Sequence, residues 1–153
     1  MKRALFTLVL PFALAACGGA TAGYGGGTAP SSQAGSVTIG VRGSSLGQIL
    51  VDGSGKSLYL FEADSGTQST CSAACAQAWP PLTTSGAPKA AGGASPSLLG
   101  TTTRSDGSKQ ATYSGHPLYY FTGDAKSGDI NGEGVTAFGA GWDVLSPAGS
   151  KIE

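Results

Sequence analysis

The sequence predicts a mainly β protein in which two tandem repeats pack about a pseudo-twofold axis as a sandwich or barrel, with one short helix near a cysteine pair. Three observations lead there. The stretch LYLFEAD at 58–64 returns as LYYFTGD at 118–124. Glycine supplies 26 of 153 residues while only 12% are charged, a composition of tight turns and short strands rather than helices. Several segments alternate apolar and polar residues with a period of two, the signature of half-buried strands.

The repeat is larger than the heptapeptide. A shift of sixty residues lays Gly40 on Gly100, Gly47 on Gly107 and Gly55 on Gly115, then Leu58, Tyr59, Phe61 and Asp64 on Leu118, Tyr119, Phe121 and Asp124. After three inserted residues, Trp79 meets Trp142, Leu82 meets Leu145 and Gly86 meets Gly149. Two units of this size are each too small to hold a core alone, so each is expected to bury the other's aromatic face. Two units are also too few blades for a propeller.

The N-terminus reads separately. Lys2 and Arg3 precede the apolar run ALFTLVLPFALAA, which is short for a membrane span and ends in Leu14-Ala15-Ala16-Cys17, the form of a bacterial lipobox. Residues 1–16 are therefore expected to be a lipoprotein signal peptide, with Cys17 acylated after cleavage. The alternative is an ordinary secretory peptide cut after Ala16. Both export the chain. Several acyl chains, at about 0.8 kcal/mol per buried CH2, anchor a protein stably; Gly18 after the cysteine points to the outer membrane in a diderm cell, and the outer face of the plasma membrane is the site in a monoderm one. Loss of Lys2 and Arg3 from nine basic residues against nine acidic ones leaves a formal balance of minus two. No basic patch remains to hold nucleic acid, so the expected partners are the membrane, through the lipid, and an envelope protein or small ligand.

Residues 17–36 are rich in Gly and Ser and too poor in apolar side chains to offset their ordering entropy. They read as a flexible tether reaching about 25 Å. The first repeat, 37–86, opens with SVTIGVR, where Val37, Ile39 and Val41 alternate with polar or small residues to make a strand. The cluster Asp52-Gly53-Ser54-Gly55 reads as a hairpin turn, after which Tyr59 and Phe61 face one side and Leu58 and Leu60 the other. The stretch TCSAACAQAW predicts a short helix with Thr70 or Ser72 as N-cap and Pro80-Pro81 as its stop. SGAPKAAGGASPS reads as a loose connector, placed at 87–97, before the second repeat at 98–153.

These residues carry a family resemblance. Tyr59-Leu60-Phe61-Glu62-Ala63-Asp64 and Tyr119-Tyr120-Phe121-Thr122-Gly123-Asp124 resemble the tandem Tyr-x-(Phe/Trp/Tyr)-x-x-Asp motif of bacterial predicted lipoproteins known as the secreted repeat of unknown function. CSAACAQAWPPL, GHPLYYFTGD and GEGVTAFGAGWDVL extend the likeness over nearly everything after the tether. The resemblance implies no biochemical activity.

Two readings of the motif stand side by side. In the first it is scaffold: Tyr and Phe bury apolar area from one face of a strand, and the Asp beyond them accepts backbone N–H groups at a turn. In the second, Tyr59, Phe61, Asp64, Tyr119, Phe121 and Asp124 converge across the axis as a pocket for a sugar or other small ligand. With Cys17 spent on lipid, Cys71 and Cys75 are expected to form a disulfide in an exported chain, one that needs a distorted turn because a regular helix aims their Cβ atoms unfavourably. The alternative is copper or thiol-redox handling by Cys71, Cys75 and the single histidine, His116, since soft thiolates suit Cu(I). Asp129-Ile130-Asn131-Gly132-Glu133-Gly134 imitates the start of a calcium loop, but its twelfth position is Ala140 rather than Glu. No His-Glu-x-x-His or Gly-x-x-x-x-Gly-Lys occurs and the single histidine limits acid–base chemistry, so the expectation is a non-enzymatic structural or binding module without a cofactor.

Overall fold

The structure, a computed structural model, describes residues 35–152; the signal segment, Cys17 and nearly all of the tether lie outside them. Strands β1 (Thr38–Ser44) and β2 (Gly47–Asp52) form the first hairpin, followed by the short β3 (Tyr59–Phe61), helix α1 (Ala74–Ala78) and β4 (Lys89–Ala90). The second repeat has β5 (Leu99–Thr103), β6 (Lys109–Tyr113), β7 (His116–Pro117), β8 (Val135–Ala137) and β9 (Ala140–Val144). They assemble as three sheets of three strands, ordered β2-β1-β4, β3-β9-β8 and β5-β6-β7.

Two of the glycine pairs that the repeat preserves sit where the backbone enters the left-handed region. Gly47 and Gly107 have φ of 101° and 82°, and Gly55 and Gly115 have 84° and 83°. Residues with a Cβ are strained there, so both hairpins of both units turn on the same residue type.

The period of two in LYLF sorts its side chains into two cores. Leu58 and Leu60 pack with Ile39, Leu50, Leu118 and Leu145. Tyr59 and Phe61 pack with Trp79, Tyr119, Trp142 and Val144. All three residues of β3 are buried, which makes this strand the partition between the cores.

The pairing is exchanged between repeats. β3 of the first unit pairs with β9 of the second, Phe61 opposite Trp142. The segment after Trp79 runs the other way into the second unit: Tyr120 N–H donates to Pro80 O at 2.8 Å, Leu82 N–H to Leu118 O at 2.8 Å and Ala111 N–H to Leu82 O at 2.8 Å. At the axis the motif tyrosines face each other, each N–H donating to the other's carbonyl at 2.9 Å. Four rings stack through this point. Phe61 lies 4.2 Å from Trp142, Trp142 lies 4.0 Å from Trp79, and Trp79 lies 4.2 Å from Phe121, centroid to centroid. Each phenylalanine therefore stacks on the tryptophan of the other repeat.

The structure departs from the sequence reading, or narrows it, at four points. The exchange leaves three small sheets and no closed barrel. The segment begun by Trp79 is not a regular strand like β9: it makes isolated bridges at Pro81 and Thr83, because Pro80 and Pro81 have no N–H to donate. Helix α1 is capped by neither Thr70 nor Ser72. It starts after Ala73, whose φ of 50° turns the chain, with no side-chain cap. The region read as a loose connector is ordered, since β4 runs parallel to β1 with Thr38 opposite Lys89 and a 3-10 turn at Pro96–Leu98 leads into β5.

Gly132 offers a test of the stack's tightness. A Cβ built there would lie 2.7 Å from the Trp79 ring and 3.0 Å from that of Tyr59. Gly132→Ala should lower stability by about 1–3 kcal/mol through overpacking. Gly43→Ala, which meets nothing within 4 Å, should stay within about 0.5 kcal/mol of wild type. Urea unfolding followed by tryptophan fluorescence measures both.

Candidate functional site

The duplicated motif ends in an aspartate placed by a local turn. Asp64 N–H donates to Phe61 O at 3.0 Å and Asp124 N–H to Phe121 O at 3.1 Å. In each repeat one carboxylate oxygen holds the following loop. Asp64 Oδ1 accepts from Thr70 N–H at 2.7 Å and from its hydroxyl at 2.9 Å; Asp124 Oδ1 accepts from Asn131 N–H at 2.9 Å. The other oxygen crosses the axis. Tyr119 Oη donates to Asp64 Oδ2 at 2.6 Å, and Tyr59 Oη donates to Asp124 Oδ2 at 2.7 Å.

Each tyrosine is thus latched to the aspartate of the other repeat. Both tyrosines are fully buried, and each stands edge-on to the tryptophan of its own unit, 5.3 Å for Tyr59 and Trp79 and 5.2 Å for Tyr119 and Trp142. The six motif residues come together across the axis as two hydrogen-bonded tyrosine–aspartate pairs beside four stacked rings. Burial first, and then the facing carboxylate, push the ionisation of both phenols well above the ordinary tyrosine range.

The latch on Tyr119 extends further. With its own proton on Asp64, Tyr119 Oη accepts from Ser69 Oγ at 2.8 Å. Ser69 in turn accepts from Arg104 Nη1 at 2.6 Å. Arg104 is only 5% exposed and also donates to Gln110 Oε1 at 2.7 Å and to Cys71 O at 2.6 Å. Sequence reasoning missed this arginine. It sits outside the residues that recur between units, and no periodicity marks a buried cation.

Cys71 and Cys75 are joined in a disulfide with Cα atoms 5.2 Å apart, and both are buried. Ala73 supplies the distorted turn that the spacing requires. His116 lies elsewhere, half-buried in a cleft of about 300 Å³ with Leu60, Phe61, Glu62, Asp64 and Lys151. Among the described residues no three His, Cys, Asp or Glu side chains gather at a metal-sized centre. The acidic loop spends its oxygens on backbone: Asp129 Oδ2 accepts from Lys126 N–H at 3.0 Å and Glu133 Oε2 from Val144 N–H at 2.7 Å.

The fold and its latches define a class: a β protein of two intertwined repeats, closed by reciprocal tyrosine–aspartate bonds. The chain belongs to the family described as "Secreted repeat of unknown function", whose model matches residues 40–83 and 100–146. No curated protein and no solved structure matches it. Among the described residues, no helix is long and apolar enough to cross a membrane.

The crossed geometry is open to a double-mutant cycle. Tyr59→Phe and Asp124→Ala should couple by about 1–3 kcal/mol, because they share one charge-assisted bond. Tyr59→Phe and Asp64→Ala, from the same heptapeptide, should add independently to within about 0.5 kcal/mol. Coupling within a heptapeptide instead of across the axis would refute the latch.

A second outcome concerns alkaline pH. Raised phenol ionisation in the fold means that the stability contributed by Tyr59 and Tyr119 is intact below about pH 10, where unfolded tyrosine titrates, and is lost above it. Phenolate absorbance should therefore appear for these two only on unfolding, and unfolding free energy should fall as pH rises past that value.

Proposed function

We propose that this exported protein is a lipid-anchored envelope module, structural or binding rather than catalytic, held off the membrane by its tether. The observation that carries the reading is the use of the motif carboxylates. Both oxygens of Asp64 and both of Asp124 are engaged in holding a loop and latching the opposite tyrosine. A carboxylate committed in this way is a poor proton shuttle, since taking up a proton would remove an acceptor that the fold's own closure uses. The family's description as secreted agrees with the basic and apolar leader. The lipobox form at Leu14–Cys17 supports acylation of Cys17, in the outer membrane of a diderm cell or on the outer face of a monoderm membrane. No cofactor enters this reading.

Intact mass and N-terminal peptide analysis of the chain extracted from membranes in detergent test the anchor. The expected product begins at Cys17 and carries a diacylglyceryl group and a further acyl chain. A mature chain that begins at Cys17 with an unmodified thiol would overturn it and leave a freely secreted protein.

A further inference from the structure

The two repeats place the middle residue of Tyr-x-Phe beside the hairpin turn of the other unit, and the two resulting clefts differ. On one side Leu60 shares its cleft with His116, Asp64 and the Glu62–Lys151 ion pair, 2.9 Å between Oε1 and Nζ. On the other, the position of Leu60 is taken by Tyr120. That cleft, about 270 Å³, is bounded by Ser36, Thr38, Asp52, Gly53, Ser54 and Tyr120. We infer that it binds one ring of a neutral sugar.

The chemistry of the walls selects this class. Asp52 is the sole charged residue lining the cleft, and there is no cation to hold phosphate or carboxylate. A metal ion is equally poorly served, because Asp52 is already fixed. Its Oδ1 accepts from Ser54 N–H at 2.9 Å, Ser54 Oγ at 2.7 Å and Lys56 N–H at 2.9 Å, and its Oδ2 accepts from Tyr120 Oη at 2.9 Å. This leaves acceptor capacity on Asp52 Oδ2 and on Tyr120 Oη. The hydroxyls of Ser36 and Thr38 have no hydrogen-bond partner among the described residues. Groups that both donate and accept, held on a rigid wall beside an aromatic ring, match vicinal hydroxyls of a sugar.

Size and position agree. The volume falls just below the range of about 300–1,000 Å³ found for drug-sized ligands, which suits a single small ring. Burial and the neighbouring Asp52 charge keep Tyr120 a neutral phenol, so its acceptor lone pairs serve a hydroxyl donor. The counterpart of Tyr120 in the first repeat is Leu60, which shows that the fold accepts an aliphatic residue at that strand position. The tyrosine is therefore not required by the duplicated scaffold. The inference deepens the binding-module reading of the envelope protein and does not depend on the lipid at Cys17.

Saturation-transfer NMR on the full chain in a sugar-free detergent tests it. The probes are the methyl glycosides of glucose, mannose, galactose and N-acetylglucosamine, with their disaccharides, and sodium phosphate and calcium chloride as comparators. At least one glycoside should bind saturably with a dissociation constant on the order of 1 mM. Tyr120→Leu, the residue of the first repeat, should weaken it by about tenfold or more while leaving the melting temperature near wild type. Thr38→Val, close to isosteric, provides the same loss if Tyr120→Leu does not fold. A disaccharide bound more tightly than its monosaccharide identifies a glycan chain as the source; equal affinity identifies a free sugar. No binding by any glycoside, binding unchanged in both variants, or binding of phosphate or calcium alone would each overturn the inference. Those failures leave the mass of the lipidated N-terminus untouched, so the anchor and the cleft stand or fall separately.

Discussion

The reciprocal bond between each motif tyrosine and the opposite motif aspartate is the constraint on which the rest of this architecture depends. Asp124 is buried, at 5% exposure, and a buried carboxylate without partners is costly enough that folding must supply them. The first repeat contains a tyrosine and an aspartate, yet its own pair does not meet. Each donor finds its acceptor only when the other unit is in place. A repeat folded alone would carry an unsatisfied phenol and a half-satisfied carboxylate, which makes one cooperative body out of two units with nearly the same sequence.

The same exchange governs the apolar packing. Phe61 and Trp142 are direct cross-strand partners in β3 and β9, so ladder register and ring stacking reinforce each other. Every contact in the four-ring stack joins residues of different repeats. Separating the units would expose all four rings at once. The loop held by Asp124 packs against this stack, and Gly132, which a Cβ would drive into Trp79, marks how near that cover lies. Packing, ladder and latch thus lock at one axis. Their partners are some sixty residues apart in sequence, and such non-local closure is a slow route to a folded state compared with local helix formation.

The mainly β class, the two units, the facing of Leu58 and Leu60 against Tyr59 and Phe61, and the cysteine pairing were all legible in the sequence. Each leaves a local mark: alternation, recurrence, or spacing in an exported chain. The crossing was not legible. A sixty-residue shift says that Tyr59 and Tyr119 play the same role, but it cannot say whether each pairs with its own aspartate or with the other's, because both choices obey the repeat. The helix start was misread for a related reason. Thr70 looks like a cap from composition, while in the fold its N–H and hydroxyl are taken by Asp64, and the disulfide brings the turn to Ala73. Arg104 was invisible because its partners, Ser69, Cys71 and Gln110, are assembled by the exchange itself.

A duplicated fold offers its own way of separating scaffold from function. Positions that recur have a physical task that both units share: the glycines with positive φ turn the hairpins, and Tyr, Phe, Asp and Trp close the axis. What the fold needs twice is accounted for by the fold. The departures from the repeat are then informative. Leu60 against Tyr120, Lys56 against His116, and the disulfide-bearing helix against the β8–β9 hairpin are places where one unit does something that the other does not. The equivalent strand position holds a leucine with 4% exposure, so the duplicated fold does not itself call for a hydroxyl there. The hydroxyl at Tyr120 instead completes a polar wall with Asp52, and that wall faces a cleft. In this protein the motif that defines the family belongs to the architecture, and its asymmetric neighbours are where binding chemistry has room to differ.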